Sequence, residues 1–212
     1  VRKTLAVLGA LAALGVSACS SNDMASTATN TPAPTTTKPS ATAAADGVTK
    51  TSDVFGAGCA GVPQDPANKG SLAGMAMDPV ATAASNNPLL TKLVAAVKAT
   101  NLVDTLNSQE AITVFAPADP AFAELGDAKF AELAANPNQL APILQYHVVG
   151  KRYDAKGLEQ AGSVKALSGG DLKIAGSGDS LTVNGAPVLC GNIPTKNATV
   201  FVIGKVLTPP AA

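Results

Sequence analysis

The sequence predicts an α+β domain, with short helices gathered in its first half and a mostly antiparallel sheet in its second. Three observations lead there. Four Asx-Pro dipeptides, each followed by apolar residues at helical spacing, punctuate residues 78–145. From about residue 146 the apolar period shortens to two, and Gly, Asp and Asn separate the runs. The two kinds of element are segregated along the chain rather than alternating, the pattern of α+β rather than α/β folds.

Ahead of the domain lie two segments of different character. Arg2 and Lys3 precede an apolar run, Leu5 to Val16. Its twelve residues would make a helix of roughly 18 Å, too short for a hydrocarbon core of about 30 Å. The run therefore reads as the apolar part of a secretory signal, residues 1–18. Val16-Ser17-Ala18-Cys19 ends it with small residues immediately before a cysteine. It resembles the lipobox of bacterial lipoproteins, in which the cysteine, here Cys19, receives diacylglycerol and is then N-acylated. The alternative is an ordinary signal cleaved after Ala18. Removing Arg2 and Lys3 leaves 13 basic against 15 acidic residues. From Ser20 to Ala45, 21 of 26 residues are Ser, Thr, Pro or Ala, too little apolar surface to offset the entropy of ordering. Residues 19–51 thus form a tether, either bare or O-glycosylated around Thr35-Thr36-Thr37.

Composition shifts near Ser52. Residues 52–74 read as an N-terminal extension of the folded unit, and residues 75–210 as the domain proper. Asp78-Pro79, Asn87-Pro88, Asp119-Pro120 and Asn136-Pro137 each place an Asx at an expected N-cap and a Pro at the first helical position. After Asn87, Leu89, Leu90, Leu93, Val94 and Val97 form one apolar stripe. After Asn136, Leu140, Ile143 and Leu144 do the same. Ala111–Ala116 is a strand embedded among these helices. Strands are then expected at 146–149, 163–167, 172–175, 180–183, 187–189 and 199–207, with Gly176-Ser177-Gly178-Asp179 as a hairpin turn.

Balanced charge, 15 basic against 15 acidic residues, gives no footprint for duplex nucleic acid. One His and three Cys cannot furnish a structural zinc site with anything to spare, so no metal or other cofactor is expected. If Cys19 is lipidated, Cys59 and Cys190 remain as an even pair, read in an exported protein as a disulfide. Closing a loop of about 130 residues is worth up to roughly 5 kcal/mol in the chain-entropy picture. No Cys-x-x-Cys supports a redox site instead.

Thr113-Val114-Phe115-Ala116-Pro117-Ala118-Asp119-Pro120-Ala121-Phe122 resembles the first signature block of fasciclin (FAS1) domains. Tyr146-His147 matches the Tyr-His dipeptide of that family, and Asn197 to Pro210 resembles its second block. Together with the lipobox, tether and cysteine pair, the whole chain looks like the small fasciclin-domain surface lipoproteins of mycobacteria and related actinobacteria. The resemblance implies a β-sandwich or barrel-like sheet with a layer of short helices. It also implies adhesion, since fasciclin domains occur in secreted and anchored proteins that bind other proteins, integrins among them, or matrix. In animal members an Asp-Ile pair before the second block is implicated in integrin binding. Asn192-Ile193 stand there in this chain, and Asn has no carboxylate to meet a metal ion or cationic site. Phe201 stands where the family often has His, and Gly204 where it has an acidic or amide residue.

Catalysis has little to work with. His147 is the only imidazole, and no Gly-x-Ser-x-Gly elbow, P-loop or dinucleotide fingerprint occurs. Lys151, Arg152, Lys156 and Lys165 form the densest basic grouping, interrupted by Asp154 and Glu159. The sequence thus reads as a monomeric, non-enzymatic lipoprotein, anchored through Cys19 to the outer face of the cell membrane, with or without a released form. Its domain would meet a host or matrix protein or an envelope glycan, with Tyr146, His147, Asn192 and Ile193 as interaction candidates. The other reading is a carrier that holds an apolar or lipid-like ligand between helices and sheet.

Overall fold

The computed structural model describes residues 47–209, so the leader, Cys19 and most of the tether lie outside the described residues. The first half of the domain is helical: α1 (Leu72–Met77), α2 (Val80–Asn86), α3 (Thr91–Ala99) and α4 (Val103–Ser108) precede strand β1 (Ile112–Pro117). Then come α5 (Asp119–Leu125), α6 (Asp127–Ala135) and α7 (Pro137–Tyr146), which leads into the short β2 (Val148–Val149). After α8 (Ala155–Ala161) the chain is almost all strand: β3 (Ser163–Lys165), β4 (Asp171–Ala175), β5 (Thr182–Val183), β6 (Ala186–Pro194) and β7 (Ala198–Ile203). This is the expected α+β architecture.

The strands form one sheet in the order β2-β1-β7-β6-β5-β4-β3. Every pairing is antiparallel except β1 with β7, which run parallel from Ile112 opposite Ala198 to Pro117 opposite Ile203. The two signature blocks therefore lie side by side inside the sheet, second and third from its β2 edge. All six residues of each strand are buried, as a parallel pair covered on both faces requires. At the sheet's two edges an isolated bridge joins Val149 to Ala166, and the Leu167 N–H donates to Val148 O at 2.7 Å. This single bridge curls the sheet towards a barrel without closing it.

Alternation along β1 and β7 divides the interior in two. Ile112, Val114, Ala116, Val200 and Val202 face a core built with α1 to α5 and α7. Phe115, Phe201 and Ile203 face the other, made by the curled strands β3 to β6 and α8, with the Phe115 and Phe201 rings 5.7 Å apart.

The Asx-Pro dipeptides mark helix starts, but their Asx side chains do not cap the helices that follow. Asp119 is already inside α5, and its carboxylate instead accepts from Thr91 Oγ1 (2.5 Å) and the Lys92 N–H (2.9 Å), capping α3. Asn87 closes a local turn onto the Leu89 N–H, two residues short of α3. For α2, the Val80 and Ala81 N–H groups donate to Asn197 and Asn107. Only Pro137 of the four sits at the first helical position with its Asx at the N-cap, and there Asn136 makes no cap bond. Local side-chain caps occur at Ser71 for α1 and Asp154 for α8. Several strand boundaries also differ: Tyr146 ends α7, the strands expected at 163–167, 180–183 and 199–207 are the shorter β3, β5 and β7, and the one expected at 187–189 is the early part of the nine-residue β6.

Residues 47–62 strap across β6. Gly47 and Thr49, which composition places in the tether, are buried, and Thr199 Oγ1 donates to Gly47 O. Phe55 bridges Gly191 in antiparallel fashion, and the Cys59–Cys190 disulfide fixes the strap, closing a sequence separation of 131 residues. Gly191 has to be glycine: a Cβ there would lie 2.3 Å from the Phe55 ring.

Candidate functional site

The four interaction candidates come from α7 and β6, and all are interior. Tyr146 and His147 are each 2% exposed, Asn192 9% and Ile193 0%. Tyr146 Oη donates to Asp171 O (3.0 Å) and accepts from Asn184 Nδ2 (2.8 Å), tying the end of α7 to β4 and to the turn after β5. His147 follows directly. Its Nε2 accepts from the Leu207 N–H at 2.9 Å, which leaves the ring proton on Nδ1, donating to Ile143 O at 2.7 Å. Burial lowers its pKa to about 4, against the opposing pull of the Ile143 carbonyl. The imidazole is therefore neutral, with both nitrogens occupied, and has neither a free lone pair nor a spare proton for chemistry.

Asn192 lies in an irregular stretch of β6, where the register with β7 shifts and φ is +59°. Asn tolerates that left-handed conformation better than most side chains. Its Oδ1 accepts from the Ala155 N–H (2.8 Å) at the start of α8, while its Nδ2 donates to Asp53 O (3.1 Å) in the strap. Asn197, in the second block, is a similar joint: Nδ2 donates to Leu106 O and Gln109 O, and Oδ1 receives the Val80 N–H. Asn197-Ala198-Thr199 fits the N-glycosylation pattern, but this amide is spent on bonds within the protein.

Among the described residues no group of three or more His, Cys, Asp or Glu side chains is placed to hold a metal, and no helix is long and apolar enough to cross a membrane. Among the described residues an apolar cleft of about 230 Å³ opens between α2, α3, α4, α7 and strands β1 and β2. Its walls are largely aliphatic, with Leu93, Val97, Leu106, Val114 and Leu144 among the buried lining residues beside Phe115 and His147, and no Lys, Arg, Asp or Glu lines it. The exposed Ser85, Thr105, Gln145 and Leu167 and the half-buried Gln109 complete its lining. The sequence signals helices and a sheet, but a gap among four helices depends on how they splay. Only the surplus of uncharged polar residues on α4 and α7 hinted at it.

The helical layer on a curled seven-stranded sheet with a central parallel pair defines a FAS1-type fold. The chain belongs to the fasciclin family, whose domain matches residues 88–209. The cell surface glycolipoprotein MPB83 of Mycobacterium bovis is 42% identical over 212 residues, spanning 97% of this chain and 94% of that protein. The immunogenic protein MPB70 of the same species is 44% identical over 165 residues, 75% of this chain and 84% of that protein. Among solved structures, a FAS1 domain pair from the insect cell adhesion molecule Fasciclin I superposes with a TM-score of 0.51 at 16% identity. That match covers 62% of this chain and 51% of the insect chain, and it speaks to the fold alone.

Proposed function

We propose that this protein is a non-catalytic adhesion or interaction module, exported and held at the outer face of the cell membrane by lipid on Cys19. The observation that carries this reading is kinship along 97% of the chain with a protein named as a cell surface glycolipoprotein. The lipobox and Thr/Pro-rich tether supply the physics: two or more acyl chains make a stable anchor where one holds only marginally. The buried, fully bonded state of His147 supports a non-enzymatic role. Since Tyr146, His147, Asn192 and Ile193 are interior, partners meet other, exposed residues, and these four hold that surface in shape.

Two measurements test the proposal. The intact mass of the mature protein carries a diacylglyceryl and an N-acyl group on Cys19; an unmodified thiol there removes the anchor. Purified domain binds matrix proteins, host cells or envelope glycans saturably; failure with every one of them removes the adhesion reading. The apolar cleft favours a second activity for the same fold, carriage of an apolar ligand.

A further inference from the structure

We infer that the cleft between α2, α3, α4 and α7 selects uncharged amphiphiles: a hydrocarbon portion in the cleft, and a hydroxyl, ester or amide group at its mouth. This rests on the carrier reading and names its ligand class. Size sets the first limit. A cavity of roughly 150 Å³ lined by aliphatic and aromatic side chains stays dry and accepts benzene. At about 230 Å³ this cleft takes a longer hydrocarbon segment, and its aliphatic walls give water few hydrogen-bond partners.

Charge sets the second limit. No acidic or basic side chain lines the cleft, and the one titratable group that does, His147, has both ring nitrogens engaged. A carboxylate or ammonium drawn to the mouth would give up hydration and find no opposite charge, a cost that a neutral head group avoids.

The mouth supplies the third element. The side chains of Thr105, Gln109 and Gln145 make no hydrogen bond to any other described residue, while Ser85 Oγ is already committed to Ala81 O. Two amides and a hydroxyl can both donate and accept, which suits an alcohol, ester or amide and offers an ion nothing specific. An apolar cleft with a few uncommitted polar groups along it is the usual form of a small-molecule site.

The test is calorimetric titration of the full chain, carrying Cys19→Ser so that lipidation supplies no acyl group of its own. The probes are 1-octanol, octanoate and octylammonium at pH 7. Octanol is expected to bind one site per chain, with both ions weaker by about tenfold or more for want of a charged partner. An ion binding as tightly as octanol overturns the head-group selectivity and leaves the carrier reading standing. Absence of saturable binding by all three overturns both. Ala84→Phe, which fills the cleft from α2, should abolish octanol binding with the circular dichroism unchanged. Gln145→Ala, an exposed change that leaves the fold alone, should weaken it several-fold. Undiminished binding to folded Ala84→Phe places the ligand elsewhere and overturns the site. Should that variant fail to fold, methyl NMR of the parent chain decides: shifts centred on Leu93, Val97 and Leu106 support the cleft, and shifts confined to other methyls overturn it.

Discussion

His147 holds the end of α7 to the chain beyond β7 through two hydrogen bonds, and that arrangement works only while the ring is neutral. Its pKa falls from 6.5 to about 4 on folding, so the unfolded chain binds a proton that the folded protein refuses. The stabilisation is complete above pH 6.5 and is lost progressively as the pH drops towards 4, by about 3 kcal/mol in all. Urea midpoints measured across that range should show the loss in the parent protein and a flatter profile in His147→Gln. Asn192 offers a different test. Asn192→Asp keeps the acceptor for the Ala155 N–H but removes the donor to Asp53 O and turns a carboxylate towards that carbonyl. A loss of about 1–3 kcal/mol is expected, read as a drop in thermal midpoint. Tyr146-His147 was legible as a marker in the sequence, but its job was not. The residues it bonds, Asp171, Asn184 and Leu207, lie 25, 38 and 60 positions away.

At the scale of elements, the Asx-Pro signals located α2, α3, α5 and α7 but misjudged how they begin, and α8 formed in a stretch read as strands and turns. Asx-Pro is a local signal, and Pro did keep the helix starts near 80, 91, 119 and 137. The Asx side chains, however, found other partners: Asn87 its own turn, Asp78 the Asn86 amide, and Asp119 the start of a different helix. Asp119 illustrates this: it opens α5 by position and caps α3 by contact. Strands were easier to find than to pair, because period two reveals a strand and its faces but not its neighbour. The cysteine pair was the exception, since setting Cys19 aside as the lipobox cysteine left the two partners that the strap and β6 now join. Cys59→Ser with Cys190→Ser should lower stability by up to about 5 kcal/mol, measured by urea unfolding. Amide exchange should then rise more at Phe55 and Gly191, which pair strap and sheet, than at Val114 or Val200 in the centre.

For the whole molecule, the α+β class and the curled, barrel-like sheet were readable from the segregated periods and the two signature blocks. What they did not reveal is that those blocks touch. Residues 112–117 and 198–203 lie parallel in register, and β7 stands between β1 and β6. Neither core closes without it, because Val200 and Val202 complete one and Phe201 and Ile203 the other. A chain ending at Asn197 should therefore lose cooperative unfolding altogether, seen as a flat thermal melt beside the sigmoidal melt of the full chain. During synthesis the same geometry sets a timetable. A nascent polypeptide lacks its keystone until β7 has left the ribosome, so the domain cannot lock into shape early. On the proposed route out of the cell, a channel would then receive a pliable thread, and the finished globule would assemble only on the far side.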